Sequence, residues 1–437
     1  MTMARSTPSS APSRPSRLPA SRLLVWGLFA LVLILAPLAF KSSLAITVLS
    51  QMGMAIIACL SYNMLLGQGG MLSFGHAVYT GLGSFVAIHA LNVASSGQIP
   101  IPVSLVPLAG GFAGMGFAVL FGYVTTRKAG TTFAMITLGL GELVFAMSLM
   151  VPEFFGGEGG VSGNRVVGQP FMGISYGPPI QVYYLIAAYT FVSVALMFAF
   201  TQTPLGRMLN AVRDNPERVE FVGYNTQRVR YMAFIIAGFF AGISGGLGAL
   251  NFEIVTAEVV GAARSGAYLL FTFLGGATFF FGPIIGGVLM VLAFVLFSEF
   301  TKAWLLYLGL IFLFMVMYAP GGIASLIMMN LRVASFGKLR RLLLPYLGLA
   351  LTGLVALAGA GAMIEMTYHL QLNASQGNEL VFLGVALDAM SLRSWLGAGV
   401  LLIVGIALFE IVRRRFARQW SEIQESIEHE LQRRAQA

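Results

Sequence analysis

The residues able to do chemistry in this chain are few and scattered. His76, His89, His369 and His429 show no metal-ligand spacing, Cys59 is the single cysteine, and no Ser/His/Asp grouping or pair of carboxylates can be argued. A chain that burned ATP itself would need a phosphate-cradling G-x-x-x-x-G-K-[ST]. Its only Gly-Lys pair, Gly337-Lys338, is followed by Leu339 and lacks the upstream glycine. Transport coupled to an ion gradient usually places ionisable groups inside the membrane. Here Glu142 sits well inside an apolar segment, while Glu299 and Glu410 lie near segment ends. Nothing supports covalent chemistry, and no cofactor is expected in this chain. What stands out is the charged stretch 203–230. Thr203 and Pro204 supply an N-cap and a first helical position, and Leu205, Met208, Leu209 and Val212 fall on one face. Asn215-Pro216 restarts the pattern with Glu217 in the first turn, and Gly223 ends it. The spacing predicts a pair of short helices exposing Arg207, Arg213, Asp214, Glu217, Arg218 and Glu220. Such a pair suits docking to a separate protein; the alternatives are a solvated loop and an interfacial helix on anionic lipid.

The elements that must position this pair are apolar. Of 437 residues, 57% are hydrophobic and 10% charged, with a mean hydropathy of +0.83, whereas a globular chain carries about 25% charged residues. The apolar residues come in blocks of about 16 to 24, the length a helix needs to cross the hydrocarbon core. The fold class is therefore all-α and polytopic. A soluble enzyme, a disordered chain and a disulfide-rich secreted scaffold are excluded. The net charge of +9 is not a nucleic-acid signal, because membrane proteins collect Lys and Arg in their cytoplasmic loops.

Twelve apolar segments are expected, at 23–40, 44–66, 72–91, 103–125, 131–150, 181–201, 231–251, 266–281, 284–300, 304–318, 342–364 and 395–412. Residues 1–22, with Arg5, Arg14, Arg17 and Arg22 and no acid, read as a disordered basic tail. The first segment reads as an uncleaved anchor rather than a signal peptide, since it lacks a small-x-small cleavage site and more spans follow. With the N-terminus inside, five of the 26 basic residues (Lys41, Arg165, Arg264, Lys302 and Arg393) fall outside and the rest inside. That bias favours an even number of spans and two cytoplasmic termini. Two glycine-rich breaks, 67–75 and 275–287, interrupt the pattern. Each reads either as re-entrant backbone lining a pathway or as a tight turn between short spans. Gly110/Gly114, Gly238/Gly242/Gly246 and Gly282/Gly286 recur at a four-residue spacing, which predicts close helix packing within the bundle or at a dimer interface.

Six motifs in order carry a resemblance: NMLLGQGGMLSFGHAVYTGLGSF (63–85), TTFAMITLGLGEL (131–143), GGEGGVSGN (156–164), the stretch 203–250 opening TPLGRMLNAVRDNPERVEF, FLGGATFFFGPIIGG (273–287) and YAPGGI (318–323). Over residues 44–325 the chain resembles the branched-chain amino acid ABC importer permeases of the LivM type. The resemblance implies about ten core helices and a multi-pass subunit of the bacterial inner membrane. It also implies a LivH-like second permease, two cytoplasmic ATPase subunits that hold ATP and Mg, and a periplasmic solute-binding protein. The region near 203–223 then corresponds to coupling helices, with Arg207, Arg213, Asp214, Glu217 and Arg218 as ATPase contacts. The pathway would lie between the permeases. Candidates for its lining are the polar residues marooned in apolar segments, Asn63, Gln68, Ser73, His76, Thr137, Glu142 and Thr272, although for any one of them a bond within the bundle is a simpler reading than contact with the solute. The same family pattern also serves urea, amides and aromatic acids, and a different class, an autonomous ion-coupled transporter, is the rival.

The family pattern stops soon after the Pro-Gly-Gly turn, whereas this chain adds a two-span extension at 326–412 and a charged tail at 413–437. In the tail Phe416, Trp420, Ile423, Ile427 and Leu431 form one apolar stripe. It is expected to pack on a partner permease, on an ATPase subunit or flat on lipid. Asn373-Ala374-Ser375 matches a glycosylation sequon by chance.

Overall fold

In lipid every backbone polar group needs an internal partner, so apolar segments of this length fold as helices. A computed structural model describes residues 20–97, 102–166, 174–372 and 377–436. Residues 1–19 of the basic tail and the sequon at 373–375 lie outside them. The first half comprises α1 (Ala20–Ala39), α2 (Ser43–Leu66), α3 (Ala77–Ser95), α4 (Val106–Thr125), α5 (Gly130–Met150) and the single turn α6 (Pro152–Phe155). After strand β1 (Val161–Ser162) come α7 (Pro179–Gln202), α8 (Pro204–Asp214), α9 (Pro216–Phe221) and α10 (Thr226–Phe252). Strand β2 (Ile254–Val255) precedes α11 (Ala262–Gly275) and α12 (Gly282–Leu292), which runs through the π-helical Ala293–Phe297 into α13 (Ser298–Phe300). The chain ends with α14 (Trp304–Tyr318), α15 (Gly322–Ser335), α16 (Arg340–Leu372), the hairpin β3 (Glu379–Phe382) and β4 (Val385–Asp388), and α17 (Leu392–Gln436).

Among the described residues nine helices are long and apolar enough to cross a bilayer, or ten if α14 and α15, bent by 49°, count as one broken span. The protein is thus an all-α polytopic membrane protein. Two of the twelve expected segments fall outside that set: Leu23–Ala39, a shorter apolar helix at the lower limit of a crossing, and the 14-residue α11, which is too short for one. The segment expected to run to residue 281 stops at Gly275. There a Cβ would strike the Gly282 carbonyl, and Gly276 takes φ +114°, a backbone state open to glycine. The second glycine-rich break is therefore a tight turn between two packed helices.

Two of the three glycine stripes, those of α4 and α10, face each other inside the chain. A Cβ on Gly114 would strike the Gly238 carbonyl and lie 2.8 Å from the Gly242 Cα, and one on Gly242 would strike the Gly110 carbonyl. Hence α4 and α10 touch backbone to backbone, and the stripes serve internal packing. α10 also abuts α3 and α2, which makes it the axis of the bundle. The end of α10 farthest from α8 and α9 is strapped by the GGEGGVSGN segment. β1 pairs antiparallel with β2, and Arg165 reaches the carbonyls of Tyr176 and Asn251 at 2.8 and 3.0 Å and the Glu253 carboxylate at 3.6 Å.

The extension packs largely on itself, α16 against α17, and touches the rest at its two ends. At one end Glu365 accepts hydrogen bonds from Thr301 and Tyr307. At the other, Ile423 and Ile427 of the tail are buried against Val333 and Leu342, with Phe416 and Trp420 alongside and Lys338 bonded to Ser426 at 2.9 Å. The tail stripe therefore finds its cover on the chain's own α15–α16 junction, and only Leu431 stays exposed. Ile427→Asp is expected to detach this helix, because it puts a carboxylate into the apolar contact with Val333 and Leu342. Limited proteolysis should then gain cleavage sites beyond residue 413 while the protein stays membrane-inserted.

Candidate functional site

The first glycine-rich break is irregular backbone held inside the bundle. α3 starts at Ala77, not at residue 72, and residues 67–76 turn back along the end of α2. The Tyr62 hydroxyl donates to the Ser73 carbonyl at 2.9 Å, and Ser61 Oγ meets His76 Nε2 at 2.9 Å. The Phe74 amide donates to Thr137 Oγ1 at 3.1 Å, and the Ala77 amide to Ser265 Oγ at 3.0 Å. Non-helical backbone survives at this depth because protein groups satisfy it. The satisfaction is incomplete. Asn63 Oδ1, Gln68 Oε1, Ser73 Oγ and His76 Nδ1 are buried with no hydrogen-bond partner from the protein.

α8 lies over this break. Thr203 caps it, its hydroxyl accepting from the Gly206 amide at 3.1 Å, and Leu209 and Val212 sink into the main core. Asn215 caps α9 by accepting from the Arg218 amide at 2.9 Å, and Glu220 accepts from Thr226 at 2.7 Å, tying α9 to α10. The Arg213 guanidinium donates to the Gly67 carbonyl at the end of α2 and pairs with Asp214 at 2.9 Å. A helix C-terminus presents unpaired carbonyls and a partial negative charge, so a guanidinium fits there. Gly70 admits the Arg213 stem, where a Cβ would lie 2.8 Å from its Cγ, and Gly67 lies so close to Ala277 that a Cβ would strike that carbonyl. Arg213 thus meets the first break, and the first break meets the second.

The residues singled out from sequence divide accordingly. Arg207, Arg213, Asp214, Glu217 and Arg218 are all exposed at the α8–α9 end, but Arg213 also points inward to Gly67. Sequence reasoning missed the apolar tip beside them: Phe221, Val222 and Tyr224 are 88%, 71% and 51% exposed. Their signal was the FVGY run at the predicted C-cap. Of the pathway candidates, Asn63, Ser73, His76, Thr137 and Thr272 are buried, and Thr272 donates to the Cys59 carbonyl at 3.3 Å. Gln68 is half-buried. Glu142 differs from all of them, because it projects outward from α5 at mid-helix, on a face shared with Met135 and Leu143.

A helical bundle with irregular backbone at its centre and a charged helix pair fastened beneath it is the architecture of a multi-pass membrane permease subunit. The chain belongs to the family described as "Branched-chain amino acid transport system / permease component", which matches residues 44–320. Among similar proteins are the high-affinity branched-chain amino acid transport system permease proteins LivM of Salmonella typhimurium and of Escherichia coli. The first is 27% identical over 304 residues, covering 64% of this chain and 70% of the relative; the second is 27% identical over 292 residues, covering 61% and 67%. The corresponding permease protein BraD of Pseudomonas aeruginosa is 25% identical over 254 residues, covering 55% and 80%. No solved structure matches the chain.

Proposed function

We propose that the chain is a transmembrane permease subunit of an ATP-driven uptake system for branched-chain or other hydrophobic amino acids. In this reading it works beside a LivH-like second permease, two cytoplasmic ATPase subunits that bind ATP and Mg2+, and a periplasmic solute-binding protein. It resides in the bacterial inner membrane with both termini and the α8–α9 end in the cytoplasm. The observation that carries the reading is the continuous contact from α8 through Arg213 to Gly67 and on to Ala277. Closure of the ATPase subunits on ATP would displace α8–α9 as a rigid pair, and Arg213 would carry that displacement to both glycine breaks. The four unpartnered polar atoms beside the first break fit a segment with a second arrangement of similar energy, as alternating access requires. The tip residues Phe221, Val222 and Tyr224 give the docking surface its apolar core, ringed by Arg207, Glu217 and Arg218.

The outward-facing Glu142 supports putting the second permease against that face of α5. A carboxylate turned out to lipid at mid-span is costly, by about 2.5–3.5 kcal/mol on insertion scales. A protein neighbour or a wet pathway on that side of α5 removes the cost.

Two measurements test this reading. Phe221→Asp with Tyr224→Asp is expected to lower co-purification of the ATPase subunits by more than about tenfold, and Arg218→Glu to lower it less. Retention of the ATPases by the double variant would remove the docking assignment. A cysteine placed at Gly139, which has open space around it on the same face of α5, should cross-link to the second permease. Gradient-driven uptake by this chain reconstituted alone would instead support the ion-coupled rival.

A further inference from the structure

At the end of the bundle away from α8–α9, a cleft of about 200 Å³ opens between α2, α3, α10, α11 and α12. α10 borders it from Ser244 to Phe252, so the cleft runs about 12 Å along that helix. Its polar lining is sorted by depth. Thr80, Ser84, Ser244 and Tyr268 form the buried floor, while Gln51 and Arg264 stand toward the mouth. The floor hydroxyls already donate: Thr80 to the Ala77 carbonyl at 2.9 Å, Ser84 to the Gly245 carbonyl at 2.9 Å and Ser244 to the Met54 carbonyl at 2.8 Å. The Ser84 and Ser244 oxygens are therefore left as acceptors, while the Thr80 hydroxyl also meets the Tyr268 hydroxyl. Arg264 supplies the opposite chemistry. It is exposed, sits in the first turn of the 14-residue α11, and among the described residues no carboxylate pairs with it. Arg264 is the lone charged residue of the lining, so the cleft carries one positive charge at its mouth and acceptor oxygens within. Between them Met54, Val255, Met290 and Val291 present apolar walls.

The glycines of α10 show that this space is kept open. A Cβ on Gly245 would strike the Thr80 carbonyl, and one on Gly246 would lie 2.8 Å from the Pro107 Cα, so both are fixed by packing. A Cβ on Gly248 would meet nothing nearer than the Met54 sulfur at 3.9 Å. That glycine borders the cleft and leaves it empty.

The geometry points to a binding site for a small zwitterionic α-amino acid in this cleft, its carboxylate held by Arg264, its ammonium by the floor hydroxyls and its aliphatic side chain by the apolar walls. Arg264 lies one helical turn, about 6 Å, from Tyr268, which stands beside Thr80. The positive mouth and the hydroxyl floor thus border one continuous cleft. A guanidinium at the mouth selects a carboxylate over a neutral amide or urea. The site rests on the permease reading above and deepens it, since a cleft facing away from the ATPases would receive solute released by the binding protein.

The test uses the purified complex of this chain with its permease and ATPase partners, without the binding protein, in lipid nanodiscs. Binding of radiolabelled L-leucine is measured with L-leucinamide as competitor. For wild type, leucine is expected to bind in preference to leucinamide. Arg264→Gln should weaken leucine by about tenfold or more and erase that preference, while Arg264→Lys keeps most of it. Gly248→Leu should abolish binding by filling the cleft, with each variant still assembling with its partners. Absence of leucine binding in the wild type, or unchanged binding in both Arg264→Gln and Gly248→Leu, overturns the site. Failure of the permease reading shows elsewhere: with the binding protein present, the wild-type complex would then carry out no ATP-dependent leucine uptake at all.

Discussion

Arg213→Glu is expected to lower ATP-driven uptake by more than about tenfold while the ATPase subunits remain bound. The reason is local. The guanidinium of Arg213 bridges the end of α8 to the Gly67 carbonyl, and a carboxylate there would face the negative end of α2 and repel it. Arg213→Lys keeps a donor and a positive charge, so most of the uptake should survive. Uptake and ATP hydrolysis measured together in proteoliposomes make the distinction. If Arg213 transmits motion, hydrolysis continues and the solute moved per ATP falls. If it only docks the ATPases, hydrolysis stimulated by the binding protein and co-purification fall together. Wild-type uptake by Arg213→Glu would remove this residue from the coupling path.

The second large effect is on the bundle itself. Gly114→Leu is expected to destabilise the folded protein by about 3 kcal/mol or more, because the new side chain must push the backbone of α10 away from α4. Gly116→Leu, two residues further along the same helix, should be nearly neutral, since a Cβ there meets nothing within 4 Å. The contrast is read from thermal unfolding in detergent by intrinsic fluorescence, with size-exclusion profiles to follow aggregation. Equal effects from the two substitutions would mean that helix propensity, and not contact between α4 and α10, decides.

Much of this protein was legible before its fold was known. The scarcity of charge and the length of the apolar blocks required a helical membrane protein. The four-residue glycine spacing announced close packing, and the caps at Thr203 and Asn215 defined α8 and α9, as the hydrogen bonds to the Gly206 and Arg218 amides bear out. The limits have equally specific causes. Residues 72–76 look helical because they continue an apolar block, yet Tyr62, Ser61 and Thr137 hold them out of a helix by bonds that join separate helices. The helix begun at Ala262 ends early because Gly275 and Gly282 meet across a turn, a contact that no local propensity records. The tail stripe announced an amphipathic helix but not the Val333 and Leu342 surface that covers it.

What the sequence determined by itself is what depends on local chemistry: that the chain is built of apolar helices, where capping residues start α8 and α9, and which positions are small enough for helices to touch. What only the tertiary structure decided is which way each polar side chain faces. In water, hydrophobicity separates inside from outside; in a bilayer, lipid and protein interior are both apolar, so that signal vanishes. Hence Glu142 and His76 look alike in sequence, yet one faces out from α5 and the other lies sealed against Ser61. Arg213 turns inward to Gly67, and Arg264 stands at the mouth of a cleft, because those directions are set by how α2, α8, α10 and α11 pack together.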